Sequence, residues 1–165
     1  MQKSDSNKIK KIGIICSPGG HLDQALSVLD AFRNCDLFIV SYNFPSLKNF
    51  NYEGIKKIYL IKYFGDSYLE VFITLLVSIF SYFKIFFKER PNILFSTGSE
   101  IAIPAFYVGK FIFKSKLIYL ESYVRTIEPN LTAKFVYRIC DLFLVQHVSL
   151  LSKFGKKAKY SGSII

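Results

Sequence analysis

The sequence predicts an α/β fold: a single Rossmann-like, doubly wound parallel sheet. Three observations carry this. Short apolar runs alternate with helical patterns from residue 12 onward. The first run, Ile12-Gly13-Ile14-Ile15-Cys16, passes straight into Ser17-Pro18-Gly19-Gly20-His21-Leu22, a glycine pair that opens a helix. No internal repeat or low-complexity linker divides the 165 residues, so one domain over 1–165 is expected.

Each element follows from its pattern. Ile12 to Cys16 is uninterrupted apolar, as a strand buried on both faces requires. His21 to Phe32 sets Leu22, Ala25, Leu26, Leu29 and Phe32 at helical spacing. Leu37 to Val40 reads as a second strand, Ser41 to Gly54 as a loop rich in Asn, Pro, Ser and Gly, and Ile58 to Ile61 as a third strand. Asp66 or Ser67 caps a helix running to about Lys88. Ile93 to Phe95 is a fourth strand, followed by Ser96-Thr97-Gly98-Ser99-Glu100 and a helix over Ile101 to Phe113 with Pro104 in its first turn. Leu117 to Leu120 is a fifth strand ending in Glu121-Ser122. Leu131 to Ile139 is a helix, Leu142 to Val145 a sixth strand, and Lys159 to Ile165 a last extended piece.

Composition narrows the class. At 51% hydrophobic and 17% aromatic, with no Trp, the chain is too apolar for disorder. Cys16, Cys35 and Cys140 lack Cys-x-x-Cys spacing and lie in or beside apolar stretches. They read as reduced, buried thiols of a cytosolic protein, neither a disulfide frame nor a metal site. Met1 to Lys11 is polar and basic, unlike a signal peptide. A net charge of +10 favours anionic partners: nucleic acid, anionic lipid or an acidic substrate. The alternative is a merely solvated lysine-rich surface.

The helix over 68–88 tilts that choice toward a membrane. Val71 to Phe83 holds thirteen residues without a charge. It offers Phe72, Leu75, Leu76, Ile79, Phe80, Phe83 and Phe87 to an interface, with Lys84, Lys88 and Arg90 at headgroup level. A helix buried under a partner protein is the competing reading. A transmembrane span would put the third and fourth strands on opposite sides of the bilayer.

Ligands in such sheets bind beyond the carboxyl ends of the strands. Ser17–His21, Ser96–Glu100, Glu121–Arg125 and Gln146-His147 all fall there, so the fold gathers them along one rim. The glycine turn reads either as an anion site at a helix start or as a plain turn. His21 is a candidate general base, a hydrogen-bond donor to a phosphate, or a helix cap. Glu121 is a candidate base or a partner of sugar hydroxyls, unless it pairs with Arg125. Arg125 suits a bidentate phosphate contact, and Lys134, early in a helix, suits an anion. No Walker A loop, Asp-x-Asp motif or Gly-x-Ser-x-Gly elbow is present.

Together these motifs resemble the membrane-associated subunit of two-subunit UDP-sugar transferases. This family includes the eukaryotic Alg-fourteen-type subunit and the bacterial PssD- and CpsF-type proteins of capsule and exopolysaccharide assembly. The resemblance rests on Ile14–Leu22, Ser96-Thr97-Gly98 with Pro104, Tyr119–Ser122 with Arg125, Leu131–Lys134, Asp141–Gln146 and Tyr160-Ser161-Gly162. The family often has Thr-Gly-Lys at Thr132-Ala133-Lys134 and Gln-Trp at Gln146-His147, which loosens the contacts expected there.

The resemblance implies the N-terminal half of a GT-B glycosyltransferase, working with a separate donor-binding subunit of the PssE or CpsG type. The transfer would be inverting, with no metal and no cofactor. The acceptor would be a polyprenyl-pyrophosphate-linked saccharide. Catalysis would fall to His21 and Glu121, and acceptor or phosphate binding to Ser17, Gly19, Gly20, Thr97, Gly98, Ser122, Arg125 and Lys134. Eukaryotic members carry an N-terminal transmembrane segment; here Val71–Phe87 would anchor the chain, on the cytoplasmic face of an anionic membrane, peripherally or monotopically. Nucleic acid is not the expected partner. The rival readings are a non-catalytic anchor that activates the partner, and a soluble nucleotide- or nucleic-acid-binding domain.

Overall fold

A computed structural model of the chain describes residues 9–48 and 50–164. Most of the basic stretch Met1 to Lys11, and the final Ile165 of the last extended piece, therefore lie outside the described residues. Seven strands form one sheet: β1 (Lys11–Ile15), β2 (Asp36–Tyr42), β3 (Ile55–Ile61), β4 (Ile93–Ser96), β5 (Lys116–Leu120), β6 (Leu142–Val145) and β7 (Ala158–Tyr160). Their order is β3-β2-β1-β4-β5-β6-β7, and every pairing is parallel. Order runs outward in opposite directions from β1 and β4. That makes their junction the switch point where such sheets open a crevice.

Helices cover both faces. On one side, α2 (Tyr68–Glu89), α3 (Ala102–Phe111) and α4 (Leu131–Val136) pack over Phe38, Leu94, Leu117 and Phe143. On the other, α1 (Gly20–Leu26) packs over Ile12, Ile14, Ile39 and Phe95. Gly13 sits mid-strand because no side chain fits there: a Cβ would stand 2.6 Å from Phe38 Cζ and 2.9 Å from Leu94 Cδ2.

Three helices are shorter than their patterns, α3 only by its ends (Ala102–Phe111 for Ile101 to Phe113). The periodicity of His21 to Phe32 is real, since Leu22, Ala25 and Leu29 are all buried. Yet α1 stops at Leu26, and Leu29–Phe32 is a separate 3₁₀ turn. The Ser27 hydroxyl bonds the Gln24 carbonyl at 2.9 Å, and Val28 leaves helical geometry. Apolar spacing reports which side is buried, not whether the backbone ladder continues. Likewise α4 ends at Val136 rather than Ile139, with Cys140 N–H closing back on the Val136 carbonyl. In contrast β2 outruns its expectation by carrying buried Ser41 and Tyr42. Cys16 and Cys140 are buried thiols, both pushed up to about 12 chiefly by that burial, whereas Cys35 is only half-buried.

Of the two expected caps for α2, Ser67 is the one used. Its hydroxyl accepts from Glu70 N–H at 3.4 Å, and the Glu70 carboxylate accepts from Ser67 N–H at 3.1 Å. The helix stops at Arg90, in the left-handed region at φ 50, one residue before Pro91.

Candidate functional site

The glycine turn leaves β1 at the switch point. Gly19 has φ 83 and ψ −144, a backbone that L side chains rarely adopt. No atom would meet a Cβ at Gly19 or Gly20 within 4 Å, so the turn faces open space. Asp23 N–H closes on the Gly19 carbonyl at 3.0 Å, whereas the amides of Gly20, His21 and Leu22 have no acceptor among the described residues. With only seven residues, α1 brings little dipole. Any anion held here meets free amides more than a macrodipole.

Thr97, just past β4, fixes His21 across the switch point. His21 Nδ1 lies 2.8 Å from the Thr97 carbonyl, and the Thr97 hydroxyl donates to the His21 carbonyl at 2.6 Å. A carbonyl only accepts, so Nδ1 carries the proton. In the neutral ring, Nε2 is then left with its lone pair. Gly98 (φ 110) packs against this ring: a Cβ there would stand 3.3 Å from His21 Cε1 and 3.4 Å from Ser122 Cβ.

The third loop meets the first two from below. Glu121 is fully buried, and its carboxylate accepts from Ser122 N–H at 2.9 Å and Asn130 N–H at 3.2 Å. Burial pushes this carboxyl up, against those two bonds and the nearby Arg125 charge. Glu121 therefore does not line the cleft. Its two oxygens organise the loop from Ser122 to Asn130. No salt bridge joins it to Arg125 among the described residues. Ser122 is buried as well and accepts from Gln24 Nε2 at 3.3 Å. Thr97 and Gly98 also lie beneath the surface, whereas Arg125 and Lys134 are exposed. Ser17 is half-buried beside Gly19.

Two residues the sequence reading passed over tie the rim together. Gln24, one helical turn after Gly20, accepts from Tyr123 N–H (2.9 Å) and Gln146 Nε2 (3.1 Å). Asn130 caps α4 by accepting from Thr132 N–H and donates to the Gly98 carbonyl at 2.6 Å. Only Asn130 had a signal, standing directly before a helical run; Gln24 lies off the apolar spacing of Leu22, Ala25 and Leu26. Gln146 also bonds the Glu121 carbonyl at 2.9 Å, and His147 Nε2 donates to the Tyr123 carbonyl at 2.6 Å. All four predicted features thus converge on one rim.

Among the described residues, no three His, Cys, Asp or Glu side chains cluster closely enough to share a metal ion. A larger hollow of about 960 Å³ lies by Cys35, Asn51 and Lys56, at the amino ends of β2 and β3. Ligands of open parallel sheets bind at the opposite ends.

Beside the rim, α2 is inverted. Its buried stripe is Thr74, Ser78, Tyr82, Ile85, Phe86 and Glu89, half of it polar. Its outward face carries Phe72, Leu76, Ile79, Phe80 (73% exposed), Phe83 and Phe87. Leu75, expected among the outward residues, is half-buried. By length and composition α2 is apolar enough to cross a membrane, and 28% of its most apolar stretch is buried. Lys84, Lys88 and Arg90 are exposed along its last turns, Arg90 stacking on Phe87 at 4.6 Å.

A family model described as "Oligosaccharide biosynthesis protein Alg14 like" matches residues 12–164. The UDP-N-acetylglucosamine transferase subunit alg14 of Schizosaccharomyces pombe is 24% identical, covering 94% of this chain and 83% of its own length. The ALG14 subunit of Yarrowia lipolytica is 27% identical over 61% of this chain and 49% of its own, so the chain spans about half of that relative. Among solved structures, Acinetobacter baumannii MurG superposes with a TM-score of 0.72 at 15% identity, covering 92% of this chain and 45% of that one. A UDP-GlcNAc 2-epimerase from Methanocaldococcus jannaschii gives 0.68 at 15% identity, over 93% and 45%. At such identity these show the fold alone: a Rossmann-like unit matching just under half of a GT-B chain.

Proposed function

The chain belongs to the Alg14-like family of oligosaccharide biosynthesis proteins, and on that premise we propose that it is one subunit of a membrane-bound glycosyltransferase. It holds a polyprenyl-pyrophosphate-linked saccharide, while a donor-binding partner supplies the UDP-sugar. The relatives' names support the partner, since each is called a transferase subunit. The finer setting, capsule or exopolysaccharide assembly with a PssE- or CpsG-type partner on the cytoplasmic face, rests on the motif resemblance.

One observation carries the lipid-linked acceptor. The glycine turn and the loop that leads into α2 share a single cleft, lined by Ser17, Gly19 and Asp66. From there α2 runs about 33 Å with its apolar side outward. A substrate with a diphosphate between a sugar and a long hydrocarbon needs such a neighbourhood. The helix lies along the interface rather than through it, because its other side is held by the domain: Tyr82 donates to the Ile101 carbonyl and Glu89 pairs with Lys11 and Lys57.

The mechanism follows from His21. Its Nε2 takes the proton of an acceptor hydroxyl as that oxygen attacks the anomeric carbon. The bond to UDP breaks on the far side, so the configuration inverts. The amides of Gly20, His21 and Leu22, with Arg125 and Lys134, meet the acceptor's phosphates. Glu121 works through the loop that it orders and touches no reacting atom.

The test is reconstitution on anionic liposomes with the donor-binding subunit, UDP-N-acetylglucosamine and a polyprenyl-pyrophosphate-linked saccharide. Transfer should require both subunits. Transfer by this chain alone overturns the two-subunit reading. Undiminished transfer by His21→Ala overturns the base and leaves the anchoring role.

A further inference from the structure

The cleft shared by the glycine turn and the loop that leads into α2 has a lining that the phosphate chemistry does not use. It encloses about 380 Å³, within the range of small-molecule sites. Three aromatic rings form one wall: Tyr63 lies between Tyr42 (centroids 4.8 Å apart) and Phe44 (5.3 Å). Two carboxylates, Asp66 and Glu100, complete it. Tyr63 donates its hydroxyl to Asp66, and Ser99 donates to Glu100 at 3.3 Å.

The Tyr42 hydroxyl points to a ligand. Tyr42 is 3% exposed, and among the described residues its hydroxyl has no partner in hydrogen-bond geometry, the Glu100 carboxylate being the nearest acceptor that acts on it. Glu100 is close enough to act on it electrostatically but outside hydrogen-bond geometry. Burial first, then that carboxylate, push the phenol up, so it stays a neutral donor. Four buried side-chain hydroxyls lack partners among the described residues, and Tyr42 alone lines this cleft. A buried donor without an acceptor calls for an explanation, and a bound hydroxyl supplies one.

Charge decides the ligand class. Two carboxylates repel a phosphate, so the acceptor's diphosphate stays on the amides beyond Gly19. A pyranose suits the cleft. Its C–H face stacks on an aromatic ring, and its hydroxyls donate to carboxylates and accept from a phenol. Resting on the acceptor reading above, we propose that this cleft is the subsite for the sugar next to the acceptor's diphosphate, with Tyr63 and Phe44 as the stacking wall and Asp66, Glu100 and Tyr42 as hydroxyl partners.

The full-length chain in detergent tests this by calorimetry. The probes are farnesyl diphosphate and its glucosyl, galactosyl and N-acetylglucosaminyl diphosphate forms. At least one sugar-bearing probe should bind about tenfold more tightly than bare farnesyl diphosphate. Glu100→Gln and Tyr63→Ala should each erase most of that gain and leave farnesyl diphosphate affinity unchanged. Phe44→Ala, at a partly exposed ring, should do the same and guards against a misfolded variant. If all probes bind alike, or the variants weaken both kinds equally, the sugar subsite is overturned and the diphosphate reading stands. If no probe binds, both fall.

Discussion

His21 and Thr97, 76 residues apart, hold each other by two hydrogen bonds: Nδ1 to the Thr97 carbonyl at 2.8 Å and the Thr97 hydroxyl to the His21 carbonyl at 2.6 Å. One bond sets the ring's tautomer, and the other ties the first turn of α1 to the end of β4. Thr97→Val keeps the shape and removes the second bond. Stability should fall by about 1 kcal/mol, read as a shift in the urea midpoint. Transfer with the partner subunit should fall further than the folded fraction does, through kcat rather than KM, because the turn that carries the ring is less firmly tied to the end of β4 while the Nδ1 bond to the Thr97 carbonyl remains. Equal losses would make Thr97 purely structural.

Gly98 tests the same ring from the other side. At φ 110 an alanine is strained, and its Cβ would press His21 Cε1 at 3.3 Å. Gly98→Ala should cost about 1–3 kcal/mol and reduce kcat more than Thr97→Val does. A melting curve and steady-state rates on one preparation check both parts.

The sheet was legible because burial on both faces writes strands as plain apolar runs, as in Ile12–Cys16 and Leu142–Val145. Alternation gives a parallel sheet with a rim at the carboxyl ends, whereas the order β3-β2-β1-β4-β5-β6-β7 is seen only in the structure. What sequence does not show is depth. Glu121 follows a buried strand as a catalytic carboxylate does, but it faces inward because the amides of Ser122 and Asn130 close on it. Gln24 escaped notice because its partners come from residues 122, 123 and 146. The aromatic cleft is likewise non-local, built from the end of β2 and the segments that follow β1, β2, β3 and β4. The inversion of α2 was half legible: the uncharged run is visible, but the polar stripe beneath it emerges only once Thr74, Ser78 and Tyr82 are seen against the sheet.

At the sheet's other end, Glu89 controls stability. Its carboxylate is 3% exposed and meets Lys11 at 3.0 Å, Lys57 at 2.8 Å and the Tyr59 hydroxyl. Burial alone pushes this carboxyl up, but the bonds from Lys57, Tyr59 and Lys11 together outweigh it and hold Glu89 at about 2. A folded value below the ordinary 4.5 means that folding favours the charged form. The stabilisation is complete above about pH 5 and drains away as pH falls toward 2, up to about 3 kcal/mol. Glu89→Gln should cost about 1–3 kcal/mol at pH 7 and flatten the acid limb between pH 5 and 2. Urea titrations across that range measure both.

The two sides of α2 should answer oppositely to substitution. Phe72 and Phe80 are 57% and 73% exposed, so Phe72→Glu with Phe80→Glu should leave the urea midpoint within about 0.5 kcal/mol. The same pair should cut partitioning into anionic liposomes at least about tenfold, since each lost phenyl forfeits part of about 1.5–3 kcal/mol. Ser78, 3% exposed, lies on the packed side. Ser78→Leu should cost about 1–3 kcal/mol by overpacking, while the folded protein still floats with liposomes. If the Glu pair floats normally in high salt, α2 is not the membrane contact.

Gly20 separates the needs of the fold from those of the ligand. It is the first residue of α1, its backbone is ordinary, and nothing stands within 4 Å of where a Cβ would be. Alanine there should therefore stabilise the chain by about 0.4–1 kcal/mol, by narrowing the unfolded ensemble. The added methyl would occupy the space through which a phosphate reaches the free amides of Gly20, His21 and Leu22. Affinity for farnesyl diphosphate should fall about tenfold or more while the melting temperature rises. A variant that is both more stable and fully competent would show that the acceptor's phosphates do not approach this turn.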